Sequence, residues 1–259
     1  MTTETLFKQL KNKEEKIAMI TCYDFPTAKI LDQNHIDCIL VGDSLGTNIL
    51  GYNSEKEVTL NDIIHHTKAV KRGAPNSLII SDLPYNTYSS PKEALNTAQQ
   101  LIKAGASGIK FEGFFPDILQ ILKQHNIITV CHLGLLPQTA QIKKLQSTSK
   151  EEVNALLQQT LECEKYGADA LILELIPEEA AQFITEKVNI PTIGIGAGRF
   201  CDGQVQIIND IIGFPHQTFK HIAQYDNVEN RLNATISSYI HDVKENTLLD
   251  ESNSFHIKL

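Results

Sequence analysis

The chain has 259 residues, of which 42% are hydrophobic and 21% are charged, and it carries a formal net charge of −8 at pH 7. This composition is typical of a folded globular domain, and the acidic balance argues against a nucleic-acid partner held on a basic surface. The polar N-terminus lacks the apolar core of a signal peptide. The sequence contains no run of 18 apolar residues, so we expect no membrane partner. Five cysteines without a C-x-x-C pair indicate free thiols, so we expect a cytoplasmic protein.

Short apolar segments alternate with longer amphipathic segments along the chain. Continuous apolar runs of this length are typical of strands that are covered on both faces. The segments span residues 16–21, 38–43, 77–83, 108–113, 128–134, 170–175, 191–196 and 204–210. Eight strands with helical crossovers predict an α/β fold, a single TIM-type (β/α)₈ barrel over residues 1–259. An open doubly wound sheet is the alternative.

Helix start and stop signals lie between these segments. Helices are predicted at residues 59–73, 91–105, 150–167 and 177–189. Ser149 and Glu152 have the spacing of a capping box, and Pro177 is placed at the first helical position. Residues 5–13 and 228–246 predict extra helices at the two ends, the first of them packing outside the barrel. The polar tail at 250–259 is expected to be either disordered or docked on a neighbouring subunit.

Polar side chains stand at the carboxyl ends of five consecutive predicted strands. In a barrel these ends converge on one mouth, where active sites of this fold lie. A polar group at the end of an apolar strand costs desolvation energy unless it has a partner or a function. Any one of them alone is compatible with helix capping, but the whole set predicts an active site. The candidates are Asp43, Ser44, Asp82, Lys110, Glu112, His132 and Glu174.

Three of these residues are acids. Asp43, Asp82 and Glu112 offer carboxylate oxygens, which Mg²⁺ or Ca²⁺ prefers, and no Cys/His cluster indicates structural zinc. Lys110 and Glu112 are two residues apart on a strand, so they point the same way and place a cation beside an anion. Taken singly, Asp43 could instead cap a helix or pair with Lys110, and Lys110 with Glu112 could be a structural ion pair.

Two other patterns are weaker. Cys131 and His132 are neighbours on a strand and face opposite sides, so they cannot form a catalytic dyad, and we expect Cys131 to be buried packing. The segment GIGAG at 194–198 is similar to a phosphate-binding loop but lacks the spacing of a dinucleotide site.

Several blocks of sequence resemble the ketopantoate hydroxymethyltransferase family. They are TCYDFPTA at 21–28, VGDSLG at 41–46, VKRGAPNSLIISDLPY at 70–85, GASGIKFEG at 105–113, CHLGLLPQ at 131–138, LELIP at 173–177, IPTIGIGAG at 190–198 and DGQ at 202–204. Their order and spacing make the resemblance specific, and it extends over residues 4–220.

The resemblance implies a barrel of the phosphoenolpyruvate/pyruvate kind and a Mg²⁺-dependent enzyme. It implies transfer of a hydroxymethyl group from 5,10-methylenetetrahydrofolate to 3-methyl-2-oxobutanoate, giving 2-dehydropantoate in the first step of pantothenate biosynthesis. It also implies a cytoplasmic homo-oligomer, often a decamer.

The resemblance also implies roles for individual residues. Asp43 and Asp82 would be associated with the metal, and Glu112 would reach it through water. Glu174 would be the proton-transfer carboxylate. The substrate-binding residues would be Asp43, Ser44, Asp82, Lys110 and His132.

The chain departs from the family pattern at three places. Leu136 stands where the family has Thr, Phe114 replaces a glycine, and residues 141–150 form a shorter segment without glycine. The metal and keto-acid residues are all retained, so these departures concern the folate side and loop closure. Two alternative functions are a related 2-oxo acid carbon–carbon lyase, whose reactive-cysteine KKCGH-type loop is absent, and a non-catalytic barrel that binds 2-oxo acids.

Overall fold

The computed structural model describes residues 6–13, 15–214 and 220–257. Thr5, at the start of the predicted N-terminal helix, and the last two residues of the predicted tail lie outside the described residues. The chain separates into two compact units, Met1–Ile208 and Asn209–Leu259. The single domain over 1–259 stays a prediction.

Eight parallel strands close into a barrel in the first unit. They are β1 (Ile17–Thr21), β2 (Cys38–Val41), β3 (Leu78–Asp82), β4 (Gly108–Glu112), β5 (Ile128–Gly134), β6 (Ala170–Glu174), β7 (Thr192–Ile195) and β8 (Gly203–Gln206). Each strand pairs with the next, and β8 pairs with β1. The predicted barrel is confirmed, and the open sheet is wrong.

The last strand is shorter than the sequence predicts. The apolar run continues to residue 210, but the Ile208 N–H donates to the Thr21 hydroxyl at 3.0 Å instead of extending the ladder. A short helix, Ile208–Ile211, begins at that point. The side-chain hydroxyl of β1 therefore turns the chain out of the sheet.

Helices connect successive strands from β1 to β7, and further helices precede β1 and follow β8. The helices are α1 (Leu6–Asn12), α2 (Phe25–Gln33), α3 (Leu60–Gly73), α4 (Pro91–Ala104), α5 (Pro116–Gln124), α6 (Lys150–Tyr166), α7 (Glu178–Thr185), α8 (Ile208–Ile211) and α9 (Val228–Lys244). The predicted capping box of Ser149 and Glu152 is present. Pro177 is the residue before α7 rather than its first residue, and α7 ends four residues early.

The strands carry apolar side chains on both faces, which build two cores. The outward-facing side chains of the strands pack beneath the helices, as Ile79 and Phe111 do. The inward-facing side chains fill the barrel, and Phe7 and Leu10 of α1 belong to this inner core. The helix α1 therefore closes the floor of the barrel, whereas we predicted that it only packs outside. Lys11 fixes this position, because its ammonium donates to the Val188 and Ile190 carbonyls ahead of β7.

The second unit contains the predicted C-terminal helix. Asn227 caps α9 by accepting the Asn230 N–H, and a short 3₁₀ turn follows at Glu251–Asn253. No helix in the described part of the chain has the length and apolar character needed to span a membrane.

Replacing Phe7 tests the closure of the barrel floor. Phe7 is fully buried, so Phe7→Ala should lower the free energy of unfolding by about 3–5 kcal/mol through lost burial and a cavity. Urea unfolding followed by circular dichroism measures this change. The matched control Lys8→Ala alters an exposed neighbour and should change stability by less than about 0.5 kcal/mol. Equal stabilities of the two variants would contradict the closure.

Candidate active site

An inner cavity of about 110 Å³ lies at the carboxyl ends of the strands. Its floor is apolar and comes from inward-facing strand residues such as Leu40 and Ile172. All seven predicted site residues line it, namely Asp43, Ser44, Asp82, Lys110, Glu112, His132 and Glu174. The strand register explains this convergence, because Asp82 is level with Lys110 and Glu112 is level with His132.

A buried ion pair joins β3 to β4. The Lys110 ammonium lies 2.8 Å from Asp82 Oδ1, and both side chains are almost fully buried. Asp82 Oδ2 accepts the backbone N–H of Asp43 at 2.9 Å. Lys110 therefore forms its ion pair with Asp82, the acid opposite it on the neighbouring strand β3, rather than with Asp43 or Glu112.

Gln138 is a site residue that the sequence analysis did not select. Its side-chain amide, fully buried, donates to Asp43 Oδ2 at 2.7 Å, and its backbone N–H donates to Glu112 Oε2 at 2.9 Å. The Tyr88 hydroxyl donates to the side-chain oxygen of Gln138, Oε1, at 2.5 Å. Gln138 thus fixes two of the three predicted metal-associated acids. It lies in the loop after β5, where neither strand alternation nor helical periodicity marks a residue as inward-facing.

His132 is buried with no aligned hydrogen-bond partner. Its Nε2 lies 3.0 Å from Glu174 Oε2 and its Nδ1 lies 3.8 Å from Glu112 Oε1, but neither ring nitrogen makes a hydrogen bond among the described residues. Burial lowers the pKa of His132, which favours the neutral ring. An unsatisfied buried polar group costs about 1–3 kcal/mol, so the ring is suited to bind a polar ligand in the cavity.

The neighbours of His132 and Glu174 along the strands face away from the cavity. Cys131 is fully buried beneath the helices, as predicted, and so is Leu173. Leu175 is not part of the core between the strands and the helices. The strand ends at Glu174, and Leu175 adopts a left-handed backbone conformation with φ of 48°.

The inner cavity brings several carboxyl groups close to one lysine. Burial, reinforced by Asp82, raises the pKa of Asp43 to about 7, and burial raises the pKa of Glu112 to about 9. Burial alone would lower the pKa of Lys110, but Asp82, Asp43 and Glu112 raise it, so this side chain stays charged. Among the buried side chains of the cavity, one ammonium stands beside three carboxyl groups, and a cation placed there would favour their charged forms. These carboxyl groups are those of Asp43, Asp82 and Glu112.

The segment 141–150 reaches the mouth of the inner cavity. The Lys143 ammonium lies 2.8 Å from Glu55 Oε1, and both residues line the cavity. Glu55 belongs to a short 3₁₀ helix, Glu55–Glu57. The glycine-free segment is therefore tied across the opening by an ion pair.

The glycine-rich segment 194–198 does not present an anion site. The carboxylate of Glu178 accepts the Arg199 N–H at 3.0 Å, and a Cβ on Gly198 would lie 2.5 Å from Glu178. The backbone N–H that follows this segment is therefore bound by a carboxylate, and glycine at position 198 is needed for the close approach of Glu178.

A second, outer cavity of about 520 Å³ adjoins the first. Glu112 lines both cavities. The walls of the outer cavity include Tyr85, Tyr88, Phe115, Asp117, Leu136 and Thr139. Leu136, one of the departures from the family pattern, therefore faces the outer cavity.

Solved structures define the class of this barrel. The chain is similar to 2,3-dimethylmalate lyase, a member of the PEP mutase/isocitrate lyase superfamily, with a TM-score of 0.62, 14% identity and coverage of 98% of this chain and 92% of that one. It is also similar to phosphonopyruvate hydrolase in complex with oxalate and Mg²⁺, with a TM-score of 0.63, 9% identity and coverage of 98% and 93%. These structures share the TIM-barrel fold of this chain.

Sequence relatives narrow the class to one family. A profile described as ketopantoate hydroxymethyltransferase matches residues 1–248. The 3-methyl-2-oxobutanoate hydroxymethyltransferase of Halalkalibacterium halodurans is 42% identical over 100% of this chain and 95% of its own length. The enzyme of the same name from Clostridium acetobutylicum is 43% identical over 99% and 95%. The chain belongs to the ketopantoate hydroxymethyltransferase family, and it is a hydroxymethyltransferase.

Replacing Gln138 tests its role in holding the acids. Gln138→Leu keeps the approximate size of the side chain but removes the hydrogen bonds that its amide makes with Asp43 and Tyr88. Buried polar partners are then left unsatisfied. We expect a loss of about 1–3 kcal/mol in unfolding free energy, measured by urea denaturation, together with lower transferase activity. The control Tyr88→Phe removes only the outer hydroxyl of this chain of hydrogen bonds and should retain more activity. Activity of Gln138→Leu equal to wild type would contradict the role.

Proposed function

We propose that this enzyme transfers a hydroxymethyl group from 5,10-methylenetetrahydrofolate to 3-methyl-2-oxobutanoate, giving 2-dehydropantoate in the first step of pantothenate biosynthesis. The observation that carries the proposal is the convergence of all seven predicted residues on one small, acid-lined cavity in a chain of this family. We also propose that the enzyme is a cytoplasmic homo-oligomer.

The acids of the inner cavity fit a Mg²⁺ ion. Among the described residues, no three Asp, Glu, His or Cys side chains form a group that could hold a metal ion by themselves. Mg²⁺ does not need such a group, because it is bound through one or two carboxylates and fills its remaining positions with water and substrate oxygens. The excess of buried carboxyl groups over the single ammonium of Lys110 favours such an ion. Asp43 and Asp82 would hold it, and Glu112 would contact its water.

When bound, Mg²⁺ supplies Lewis-acid polarisation of the keto group, which acidifies the neighbouring C3–H. The residues of the chain bind and orient the substrate. Lys110 supplies a fixed positive charge for the substrate carboxylate or for charge that develops on the keto oxygen. His132 offers a neutral ring nitrogen to a substrate oxygen, which would satisfy its unpaired buried group. Ser44, held by the Tyr23 hydroxyl at 2.9 Å, borders the same space.

Glu174 is the proposed proton-transfer group. Its carboxylate ends β6 and retains partial access to the cavity, with 19% of the side chain exposed. The role assigned to it is to accept the C3 proton, so that C3 can form a bond to the one-carbon unit. The bonds between that carbon and the folate nitrogens break, water supplies the hydroxyl oxygen, and tetrahydrofolate leaves. The apolar side chains of Ile172 and Ile195 border the cavity and would hold the isopropyl group of the substrate.

The reactive cysteine that the alternative lyase reaction requires is not found in this site. All five cysteines are buried, and none lies among the residues that line the inner cavity. Burial raises the pKa of Cys22 to about 11 and raises the pKa of Cys38 and Cys131 as well, which disfavours the thiolate. The non-catalytic alternative is disfavoured because every predicted acid is present and the family relatives are named as enzymes.

The reaction itself is the direct test. Purified protein incubated with Mg²⁺, 3-methyl-2-oxobutanoate and 5,10-methylenetetrahydrofolate should form 2-dehydropantoate, followed by mass spectrometry. Omitting the folate should abolish the product. Product formation without folate, or none with it, would reject the proposed reaction.

Asp82→Asn tests the metal assignment. The change keeps the shape of the side chain but removes a charge that would attract the ion and that pairs with Lys110. We expect Mg²⁺ affinity, measured by titration calorimetry, to fall by at least tenfold, with activity falling in parallel. Asp117→Asn, a carboxylate of the outer cavity, is the control and should leave Mg²⁺ affinity unchanged. The same affinity in wild type and Asp82→Asn would exclude Asp82 as a ligand.

Glu174→Gln tests the proton transfer. A positioned carboxylate contributes on the order of 10²–10⁴-fold, so turnover should fall by roughly that factor. The specific readout is exchange of the C3 hydrogen of 3-methyl-2-oxobutanoate in deuterated water, followed by NMR. We expect slow exchange with substrate binding retained. Exchange at the wild-type rate, with turnover lost, would assign C3 deprotonation to another residue.

A further inference from the structure

The two cavities differ in size in a way that matters for a two-substrate reaction. The inner cavity, at about 110 Å³, has roughly a fifth of the volume of the outer cavity, so it suits the smaller of the two substrates. A folate, with its pteridine, benzoyl and glutamate parts, is several times larger than such an acid. The outer cavity, at about 520 Å³, lies within the roughly 300–1,000 Å³ range of cofactor and drug-sized sites.

The outer cavity is also next to the reacting centre. Glu112 lines both cavities, and the Tyr88–Gln138–Asp43 chain of hydrogen bonds runs from the outer wall to the predicted metal-associated acids. A ligand in the outer cavity would therefore lie one side chain away from a substrate in the inner cavity. Transfer of one carbon requires neighbouring sites of this kind, because the two reacting atoms must approach each other to about 3–3.5 Å.

Aromatic rings form one wall of the outer cavity. Tyr88, Phe111 and Phe115 pack as a cluster with ring centroids 5.8–6.2 Å apart. Phe115 is 43% exposed although it is a large apolar side chain, and it lines the cavity. Tyr88 also lines the cavity, whereas Phe111 is fully buried beneath the two rings. An exposed ring packed against two other rings offers a surface on which a planar ligand can stack.

Polar groups around these rings favour a particular kind of planar ligand. The carboxylate of Asp117 lines the cavity and accepts no hydrogen bond from the described residues. It is suited to the paired N–H donors on the amino-pyrimidinone edge of a pteridine. The ammonium of Lys56 stands 5.4 Å from the centre of the Tyr85 ring, which also lines the cavity, and would attract a glutamate carboxylate.

We infer that the outer cavity binds the pteridine of the one-carbon donor, which stacks on Phe115 and hydrogen-bonds to Asp117. The inference rests on the proposed function, since it takes the donor to be a reduced folate. It explains why Leu136 lies outside the inner cavity, and it assigns the two substrates to separate chambers that meet at Glu112.

Binding of tetrahydrofolate, measured by titration calorimetry in the absence of keto acid, tests the site. Phe115→Ala removes the stacking ring, and Asp117→Asn removes the charged acceptor but keeps its shape. Each should weaken tetrahydrofolate binding about tenfold or more. In the transfer assay, each should raise the KM for 5,10-methylenetetrahydrofolate by a similar factor and change the KM for the keto acid less than twofold. Phe183→Ala, at a comparably exposed phenylalanine on α7, is the matched control and should bind tetrahydrofolate like wild type.

The outcomes separate this inference from the proposed reaction. Wild-type affinity for tetrahydrofolate in both variants, with folate-dependent transfer intact, overturns the site and leaves the reaction standing. Wild-type protein that binds no tetrahydrofolate and forms no product overturns the reaction, and the site with it. Weakened binding in Phe115→Ala but not in Asp117→Asn overturns the pteridine contact with Asp117. Circular dichroism and retained C3 exchange of the keto acid show that the variants are folded.

Discussion

A lysine and three carboxyl groups share the space above an apolar barrel interior, and the site depends on how this charge is held. Lys110 is ion-paired to Asp82 with both side chains out of contact with solvent, and removing one partner of such a pair costs about 3–5 kcal/mol because the other is left uncompensated. Asp82 in turn accepts the backbone N–H of Asp43. The pair therefore fixes the loop after β2 as well as the charge balance of the cavity.

The barrel holds Lys110 and Asp82 where little solvent can screen their ion pair. Phe7 and Leu10 seal the floor, inward-facing aliphatic residues fill the middle, and the polar groups stand only at the opposite end of the strands. In so apolar a setting, electrostatic interactions are stronger than in water, and unpaired groups are costly. The raised pKa values of Asp43 and Glu112 and the lowered pKa of His132 are consequences of the same burial.

The sequence predicted the parts of the molecule that follow a periodic rule. Strand alternation correctly placed Lys110, Glu112 and His132 inside the barrel and Cys131 outside it, because neighbours on a strand face opposite sides. The partner of Lys110 was not predictable, since it depends on the register between β3 and β4. Gln138 and the outer cavity were missed because they are built by loops, where position follows from tertiary contacts. The role of Phe7 and Leu10 in the barrel floor was missed because a short amphipathic helix does not reveal which surface it covers.

The position of Glu112 in the walls of both cavities has a thermodynamic consequence. A molecule in either cavity alters the hydration and the proton affinity of this one carboxyl group, and therefore the environment offered to a molecule in the other. Binding in the two chambers is then linked, and linkage is reciprocal: whatever factor the first ligand applies to the affinity of the second, the second applies to the first. Cooperation between two substrates can thus arise within one rigid barrel, through a shared side chain, without any movement of domains.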